Sequence, residues 1–226
     1  MNDDLKKLEN RIGHRFSDVE LLVRALTHSS AAVMAGVRDY ERLEFLGDRV
    51  LGLVIADVLL KRFPSEPEGD LAVRLNALVR AETCTEVARE LDLSAFVRLT
   101  PGEEKAGAGD RSSVLADICE ALIGALYLDG GLEVARLFVE RYWLSRLEGM
   151  KRPPRDAKTE LQEWAQSRKL GLPKYTEVSR SGPDHAPEFE VKVMIADIAP
   201  VVASGSSKRA AEQAAAEAML LREGLR

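Results

Sequence analysis

Apolar residues recur every three or four positions from Asp4 to Leu147, and this helical periodicity is the feature that most limits the possible folds. The stretch has few runs of β-branched residues, so the pattern predicts helices and no strands. Pro and Gly interrupt it at residues 63–69, 100–102, 107–109 and 129–131, which are predicted loops. The first part of the chain is therefore predicted to be an almost wholly helical domain.

A second, smaller domain is predicted after the charged stretch 149–156, because its two consecutive prolines favour an extended connector. Beyond it the periodicity indicates a helix, three strands and a final alanine-rich helix, at residues 157–168, 175–179, 188–195, 200–205 and 210–221. The predicted fold class is mainly α. The predicted domains are a helical domain, a linker and an α-β-β-β-α domain, over residues 1–148, 149–155 and 156–226.

Charge is divided unevenly between the two predicted domains. The net charge of −5 combines 19 Lys and Arg against 26 Asp and Glu in residues 1–150 with 13 against 11 in residues 151–226. An acidic first domain suits a bound cation, and clustered bases in the second suit phosphates. Apolar runs are far shorter than the roughly 20 residues that cross a bilayer, and the charged N-terminus is unlike a secretory signal. We expect a cytoplasmic protein with no membrane span.

Three potentially reactive side chains are expected to be structural. Cys84 and Cys119 lie in apolar helical segments and have no metal-ligand spacing, which predicts reduced thiols in the core. His28 is predicted to be a hydrogen-bonding core residue.

The segment ERLEFLGD places Glu41, Glu44 and Asp48 at positions i, i+3 and i+7, which share one face of a helix. A solvated face of an amphipathic helix is the common explanation of such a pattern. The helix becomes apolar nearly all round after Asp48, however, which predicts that it is buried. Its acidic end must then open onto a cleft, because buried charge is costly.

A second pair of acids, Asp117 and Glu120, lies in the apolar helix predicted around SVLADICEALIGALYLD. Ala121 and Gly124 lie on the same stripe, where their small size would let another helix or a bulky ligand approach closely. Acids crowded on two buried helices repel each other, and a divalent cation resolves that conflict. Carboxylate ligands without nearby Cys or His predict Mg²⁺ rather than zinc.

A magnesium site made only of acids suits phosphodiester hydrolysis. The cation polarises a phosphoryl oxygen and lowers the proton affinity of a bound water, and two cations about 3.5–4 Å apart stabilise both the attacking and the leaving oxygen. Glu68, in a predicted loop, is a further candidate. Six acids would suffice for two cations: Glu41, Glu44, Asp48, Glu68, Asp117 and Glu120.

These segments resemble the signature sequences of bacterial ribonuclease III. The resemblance extends through ALTHSS, RFP, EGDL and PGEEKAGAGDRSSVLAD, in family order and over nearly the whole chain. The C-terminal segments KTELQEWAQ and GSSKRAAEQAAAEAM resemble a double-stranded RNA-binding domain. The resemblance implies an endoribonuclease that cuts double-stranded RNA and leaves 5′ phosphates with two-nucleotide 3′ overhangs. It also implies roles in processing ribosomal RNA precursors and structured messenger and small RNAs.

The resemblance also implies roles for particular residues. Four acids hold or position Mg²⁺, for which Mn²⁺ substitutes, and these are Glu44, Asp48, Asp117 and Glu120. Asp48 and Glu120 are the expected catalytic residues, while Glu41 and Glu68 support the site. The family is homodimeric, which places the segment around Phe45 and Leu46 near the dimer contact. The arginine of LAVRLNALVR, Arg74, does not match the family pattern, and its role stays open.

Double-stranded RNA hides its base edges, so a binding domain must contact 2′-hydroxyls and phosphates. Gln162 and Glu163 on the predicted first helix suit 2′-hydroxyls, and the loop with His185 can enter a second minor groove. Ser207 is a candidate helix cap, and Lys208 and Arg209 follow it where the helix dipole favours phosphate. Ala210 and Glu212 replace lysines common in such domains, which predicts a weaker grip on phosphate.

Two other functions fit parts of the pattern. An all-helical nucleotide pyrophosphohydrolase also uses paired acidic helix motifs with Mg²⁺, although the RNA-binding segment argues against it. A double-stranded RNA-binding protein that has lost catalysis would be expected to lack one of the acids, and this chain retains all six.

Overall fold

The computed structural model describes residues 2–36, 38–150, 153, 156–183 and 186–225, and the chain forms two compact units, Met1–Pro154 and Arg155–Arg226. The fold is mainly α, as predicted. In the described part of the chain, no helix combines the length and apolarity that a bilayer crossing requires.

The first unit is a helical bundle. Its helices are α1 (Asn2–Ile12), α2 (Val19–Ala25), α3 (Ser29–Ala35), α4 (Glu41–Arg62), α5 (Glu68–Val79), α6 (Ala81–Glu90), α7 (Pro101–Lys105) and α8 (Ser112–Gly149), with short 3-10 turns at Leu93–Phe96 and Ala108–Asp110. The described residues of this unit form no strand beyond an isolated bridge between Thr27 and Arg98. Helix α8 lies at its centre and packs against α2, α4 and α6.

The predicted helix breaks are confirmed in part. The loop predicted at residues 63–69 ends earlier than expected, because Glu68 begins α5, where the helix dipole favours an acid in the first turn. Gly131 has φ of 76°, a left-handed conformation that glycine adopts without steric cost, and it kinks α8 at the predicted interruption. The loop predicted at residues 100–102 is wrong in part, because Pro101 begins α7. Proline is well suited to the first helical position, where its missing N–H has no partner to lose, and the Thr100 side chain caps the helix.

The prediction that α4 is buried after Asp48 is wrong on one side. Val50 and Val54 are buried, whereas Leu53 and Leu60 are 56% and 61% exposed. The reason is that α4 packs against α5 and α8, which cover only part of its surface within one chain. Periodicity identifies an apolar face but not the neighbour that covers it.

Arg74 has a structural role in the first unit. Its guanidinium is 1% exposed and donates to both carboxylate oxygens of Glu66, at 2.9 and 2.8 Å. It also donates to the carbonyl of Met150 at 2.7 Å and lies 4.1 Å from the centre of the Phe63 ring. Arg74 therefore fastens the loop before α5 to the end of α8.

The second unit has the predicted helix, three strands and helix: α9 (Ala157–Ser167), β1 (Lys174–Ser181), β2 (Glu188–Ile195), β3 (Ile198–Gly205) and α10 (Lys208–Arg222). The strands form an antiparallel sheet in the order β1-β2-β3, and α10 packs against β2, β3 and α9. Leu161, Val193, Ile195 and Met219 are fully buried in this separate core. β1 and β3 are longer than predicted, since each pairs along β2 beyond its alternating apolar segment.

Candidate active site

Two glycines bring α4 and α8 into direct backbone contact. A Cβ atom built on Gly47 would lie 1.7 Å from the Glu120 carbonyl oxygen, and one on Gly124 would lie 2.2 Å from the Leu43 carbonyl oxygen. No larger residue fits at either position without moving a helix. Of the two partners predicted for the small stripe on α8, a helix or a bulky ligand, the structure shows the helix.

This crossing gathers three of the predicted acids, Glu44 of α4 and Asp117 and Glu120 of α8. Burial, followed by the charges of Asp117 and Glu41, raises the pKa of Glu44. Burial, followed by the charge of Glu44 and then that of Asp117, raises the pKa of Glu120 to about 7. Burial also raises the pKa of Asp117. The helices thus hold these carboxyl groups close together despite their mutual repulsion.

Asp48 is turned toward a base rather than toward the other acids. Its carboxylate accepts a close hydrogen bond from the Arg49 guanidinium, and the Asp48 side chain is 37% exposed. Among the described residues, no three His, Cys, Asp or Glu side chains lie close enough together to hold a metal ion as they stand. The acids are neighbours that do not converge on one point, and the metal assignment stays a prediction.

The two supporting acids occupy different places. Glu41 is the exposed first residue of α4, and its charge raises the pKa of Glu44. Glu68 is the exposed first residue of α5. Glu68 is not among the charges that shift the pKa of Glu44, Asp117 or Glu120.

The structure adds two neighbours of the acids that the sequence analysis did not assign to the site. The Tyr40 hydroxyl donates to Asp117 Oδ2 at 3.2 Å, and the Cys84 thiol donates to Glu120 Oε1 at 3.7 Å. Cys84 and Cys119 are buried free thiols, as predicted, although Cys84 contacts a functional candidate as well as the core. Tyr40 directly precedes the acidic segment, but its partner is 77 residues away along the chain.

In the second unit, three predicted RNA contacts line one cleft between α9 and α10. Gln162 faces this cleft from α9, and Lys208 and Arg209 from α10. The cleft has a volume of about 620 Å³ and is also lined by Asp156, Lys158, Thr159, Glu212 and Gln213. The Ser207 side chain caps α10 by accepting from the Ala210 N–H at 3.2 Å. A helix N-terminus and two cations therefore meet on one open surface.

The remaining predicted RNA contacts are Glu163 and His185. Glu163 is exposed on α9, and His185 lies outside the described residues. Glu212 accepts a hydrogen bond from Lys158 Nζ at 2.5 Å, so its negative charge neutralises the positive charge of Lys158 inside the cleft. This pairing gives a physical reason for the weaker phosphate grip that the sequence predicts.

Comparisons with known proteins agree with these two units. The Ribonuclease-III-like family model matches residues 18–147, and the double-stranded RNA binding motif matches residues 157–222. Ribonuclease 3 of Azorhizobium caulinodans is 51% identical over 98% of this chain and 95% of its own length. Ribonuclease 3 of Rhodopseudomonas palustris is 53% identical over 96% of this chain and 80% of its own length.

A solved structure extends the comparison to the fold of the first unit. The nuclease domain of ribonuclease III from Campylobacter jejuni is 37% identical, with a TM-score of 0.58, and the match covers 62% of this chain and 99% of that one. The similarity in sequence and in fold therefore includes the helical unit that carries the acids. With a matching nuclease domain, a matching RNA-binding motif and near full-length relatives, the chain belongs to the ribonuclease III family.

Proposed function

We propose that this chain is a divalent-metal-dependent endoribonuclease that cuts double-stranded RNA. Its nuclease domain spans residues 1–148, its linker 149–155 and its RNA-binding domain 156–226. The observation that carries the proposal is the glycine crossing of α4 and α8, which holds Glu44, Asp117 and Glu120 together at raised pKa in a ribonuclease III fold. A protein that only bound RNA would gain nothing from this unfavourable arrangement.

Four acids, Glu44, Asp48, Asp117 and Glu120, are proposed to hold Mg²⁺, with Mn²⁺ as a substitute. They fit such an ion because they supply only hard oxygen donors, and because a bound divalent cation would offset the cost of burying Glu44, Asp117 and Glu120, which raises their pKa values. When bound, Mg²⁺ lowers the pKa of a coordinated water and polarises the phosphoryl oxygen. Asp48 must leave Arg49 to join the set.

Each protein group then has a defined task. Asp48 of α4 and Glu120 of α8 are the proposed catalytic residues, because they lie in the two segments that resemble the ribonuclease III signatures. Glu41 and Glu68 support the site from the first residues of α4 and α5. Carboxylates that are already oriented before the substrate binds lower the activation barrier, because no free energy is spent on orienting them during the reaction.

The α9–α10 cleft is the proposed contact with duplex RNA. Gln162 and Glu163 suit 2′-hydroxyls of a minor groove, and Lys208 and Arg209 suit phosphates across the neighbouring major groove. Ser207 fixes the end of α10 at which these cations stand. His185 is proposed to reach a further minor groove. Residues spread over two grooves recognise the shape of the duplex rather than its sequence.

We propose a homodimer formed through the exposed side of α4. Phe45 is 68% exposed beside a cleft of about 430 Å³ lined by Arg24, Glu41, Arg42, Leu43, Leu46 and Leu128. A large exposed ring beside an apolar cleft is typical of a protein interface. The Campylobacter jejuni structure is described as having a region involved in dimer formation. One active site for each strand would leave 5′ phosphates and two-nucleotide 3′ overhangs.

The proposed substrates in the cell are ribosomal RNA precursors and structured messenger and small RNAs, met in the cytoplasm. Long helical stems in such transcripts offer the A-form surface that the second unit fits.

Incubation of the full-length protein with a long perfect RNA duplex, in Mg²⁺ or in chelator, tests the proposal. We expect short duplex products with ligatable 5′ phosphates, only when metal is present, and an intact single strand in parallel. Hydrolysis of free nucleoside triphosphates with the duplex left whole would indicate a pyrophosphohydrolase. A duplex that shifts in a gel yet stays uncut in Mg²⁺ would indicate a binding protein without catalysis.

A further inference from the structure

Tyr40 connects the two helices that carry the acids. Its carbonyl accepts hydrogen bonds from the N–H groups of Leu43 and Glu44, at 2.8 and 2.9 Å, so it forms the N-terminal cap of α4. Its hydroxyl donates to Asp117 Oδ2 of α8 at 3.2 Å. One residue thus fixes the first turn of α4, where Glu44 lies, and one oxygen of the Asp117 carboxylate.

Tyr40 is itself held from several directions. The residue is 5% exposed, and its N–H donates to the carbonyl of Thr27 at 3.1 Å. Its ring packs edge-on against the His28 imidazole, with 5.8 Å between ring centres. A buried hydroxyl with a fixed ring can point in few directions, so the direction of its hydrogen bond is set before any ligand arrives.

The His28 ring is fixed in turn by α3 and α7. Its Nδ1 lies 2.9 Å from Ser30 Oγ and accepts from the Ser30 N–H at 3.3 Å. Ser30 Oγ donates a close hydrogen bond to Glu103, which also accepts from Thr100 Oγ1 at 3.1 Å. A connected set of hydrogen bonds therefore extends from α7 to the ring that packs on Tyr40.

We propose that Tyr40 is a positioning residue for Asp117, which it orients for metal binding, and that His28, Ser30 and Glu103 hold Tyr40 in place. The inference rests on the proposed function. A hydrogen bond to one carboxylate oxygen fixes the plane of the group and leaves the other oxygen for a cation. Burial and then the Asp117 charge raise the pKa of the Tyr40 hydroxyl, which keeps it a neutral donor.

The test compares Tyr40→Phe with Tyr142→Phe in the full-length protein. Both changes remove one buried hydroxyl from the first unit, and Tyr142 donates to the carbonyl of Arg11 at 2.8 Å, far along the chain from the acids. Binding of Mn²⁺ without RNA is measured from the electron paramagnetic resonance signal of the free ion. Cleavage of the duplex is measured over a range of Mg²⁺ concentrations.

We expect Tyr40→Phe to weaken Mn²⁺ binding by about tenfold, since loss of a group that orients a metal ligand costs about 10- to 100-fold. Cleavage should shift to higher Mg²⁺ and recover at saturation. Tyr142→Phe should keep the wild-type affinity, although thermal unfolding should show a similar loss of stability in both variants. Glu103→Gln, which retains the Tyr40 hydroxyl, should weaken Mn²⁺ binding by a smaller factor than Tyr40→Phe.

Equal Mn²⁺ affinities for Tyr40→Phe and wild type would overturn the positioning role, whatever the stability of the variant. A parallel loss of affinity in Tyr142→Phe would also overturn it, because the effect would then be general. Failure of the proposed function is a different result, since the wild-type protein itself would neither bind Mn²⁺ nor cut the duplex.

Discussion

The two ends of the α4–α8 pair use carboxylates in opposite ways. At the glycine crossing, Glu44, Asp117 and Glu120 are held close together, and the pKa of each is raised. Farther along the same two helices, Asp57 of α4 accepts from Lys61 at 2.7 Å and from Arg136 of α8 at 2.6 Å. The pKa of Asp57 is lowered by these hydrogen bonds.

The difference shows which acids stabilise the folded state and which destabilise it. A carboxylate that pairs with two cations stabilises the folded state, because its charged form interacts more favourably there than in the unfolded chain. Carboxyl groups crowded with one another are less stable than in the unfolded chain and have to be offset by packing elsewhere. Strongly perturbed acids in one group are typical of functional sites.

The largest expected effect is the loss of cleavage when a proposed catalytic acid is neutralised. Asp48→Asn or Glu120→Ala should slow cleavage of the RNA duplex by about a thousandfold or more, because each removes a carboxylate that we propose to be catalytic. Binding of the duplex should persist in a gel shift, since it belongs to the second unit. Cleavage that survives both changes would show that the crossing is not the active site.

The second prediction concerns the backbone contact that creates the crossing. Gly47→Ala should destabilise the first unit by about 3 kcal/mol, because the new methyl group would lie inside the Glu120 carbonyl. Gly52→Ala is the matched control on the same helix, where a Cβ meets nothing within 4 Å. It should stabilise the helix by about 0.5–1 kcal/mol. Urea unfolding of both variants measures the difference, and equal stabilities would contradict the close contact.

The acidic stripes of α4 and α8 show how far the sequence could predict the site. The stripe of Asp117, Glu120 and Gly124 was visible because residues three and four apart share a helix face, and the acids of α4 followed the same rule. The hydrogen bond from Tyr40 to Asp117 could not be predicted, because no periodic pattern relates residues 77 positions apart.

The fold shows the same limit. The helices and strands of the second unit lie within a few residues of their predicted bounds, since periodicity and alanine content act locally. The exposure of Leu53 does not follow from the sequence pattern, because it depends on which helices pack around α4. The sequence predicts that Asp48 joins the other acids, whereas its pairing with Arg49 depends on a side-chain rotamer that sequence patterns do not determine.

The third prediction is that an acid at the crossing costs stability when metal is removed. The pKa of Glu120 is about 7 in the folded protein, against 4.5 ordinarily, so its unfavourable charge appears as pH rises from about 4.5 through 7. In chelator at pH 8, Glu120→Gln should raise the free energy of unfolding by about 1 kcal/mol, a figure reduced for partial exposure to solvent. At pH 5 the gain should be small.

Urea unfolding at both pH values, with and without Mg²⁺, checks this result. Saturating Mg²⁺ should reverse the ranking, because only the wild-type protein gains from binding the ion. A variant less stable than wild type at pH 8 in chelator would mean that Glu120 is a structural acid like Asp57.

The smallest effect is expected at the paired end of the two helices. Asp57→Asn should lower the stability of the first unit slightly at neutral pH, because Lys61 and Arg136 lose their shared carboxylate. A lowered pKa means that this contribution is present above the ordinary value of 3.8 and is lost as pH falls below it. The deficit should therefore shrink at pH 3 and in high salt, which screens a partly exposed pair.

Cleavage separates Asp57→Asn most clearly from the acids of the crossing. The variant should cut the RNA duplex at the wild-type rate and with the wild-type Mg²⁺ dependence, since its carboxylate faces bases and has no part in metal binding. A rise in stability at pH 8, the result expected for Glu120→Gln, would show that pairing does not distinguish the two ends. A fall in stability with cleavage unchanged would support a catalytic role for the acids at the glycine crossing and not for Asp57.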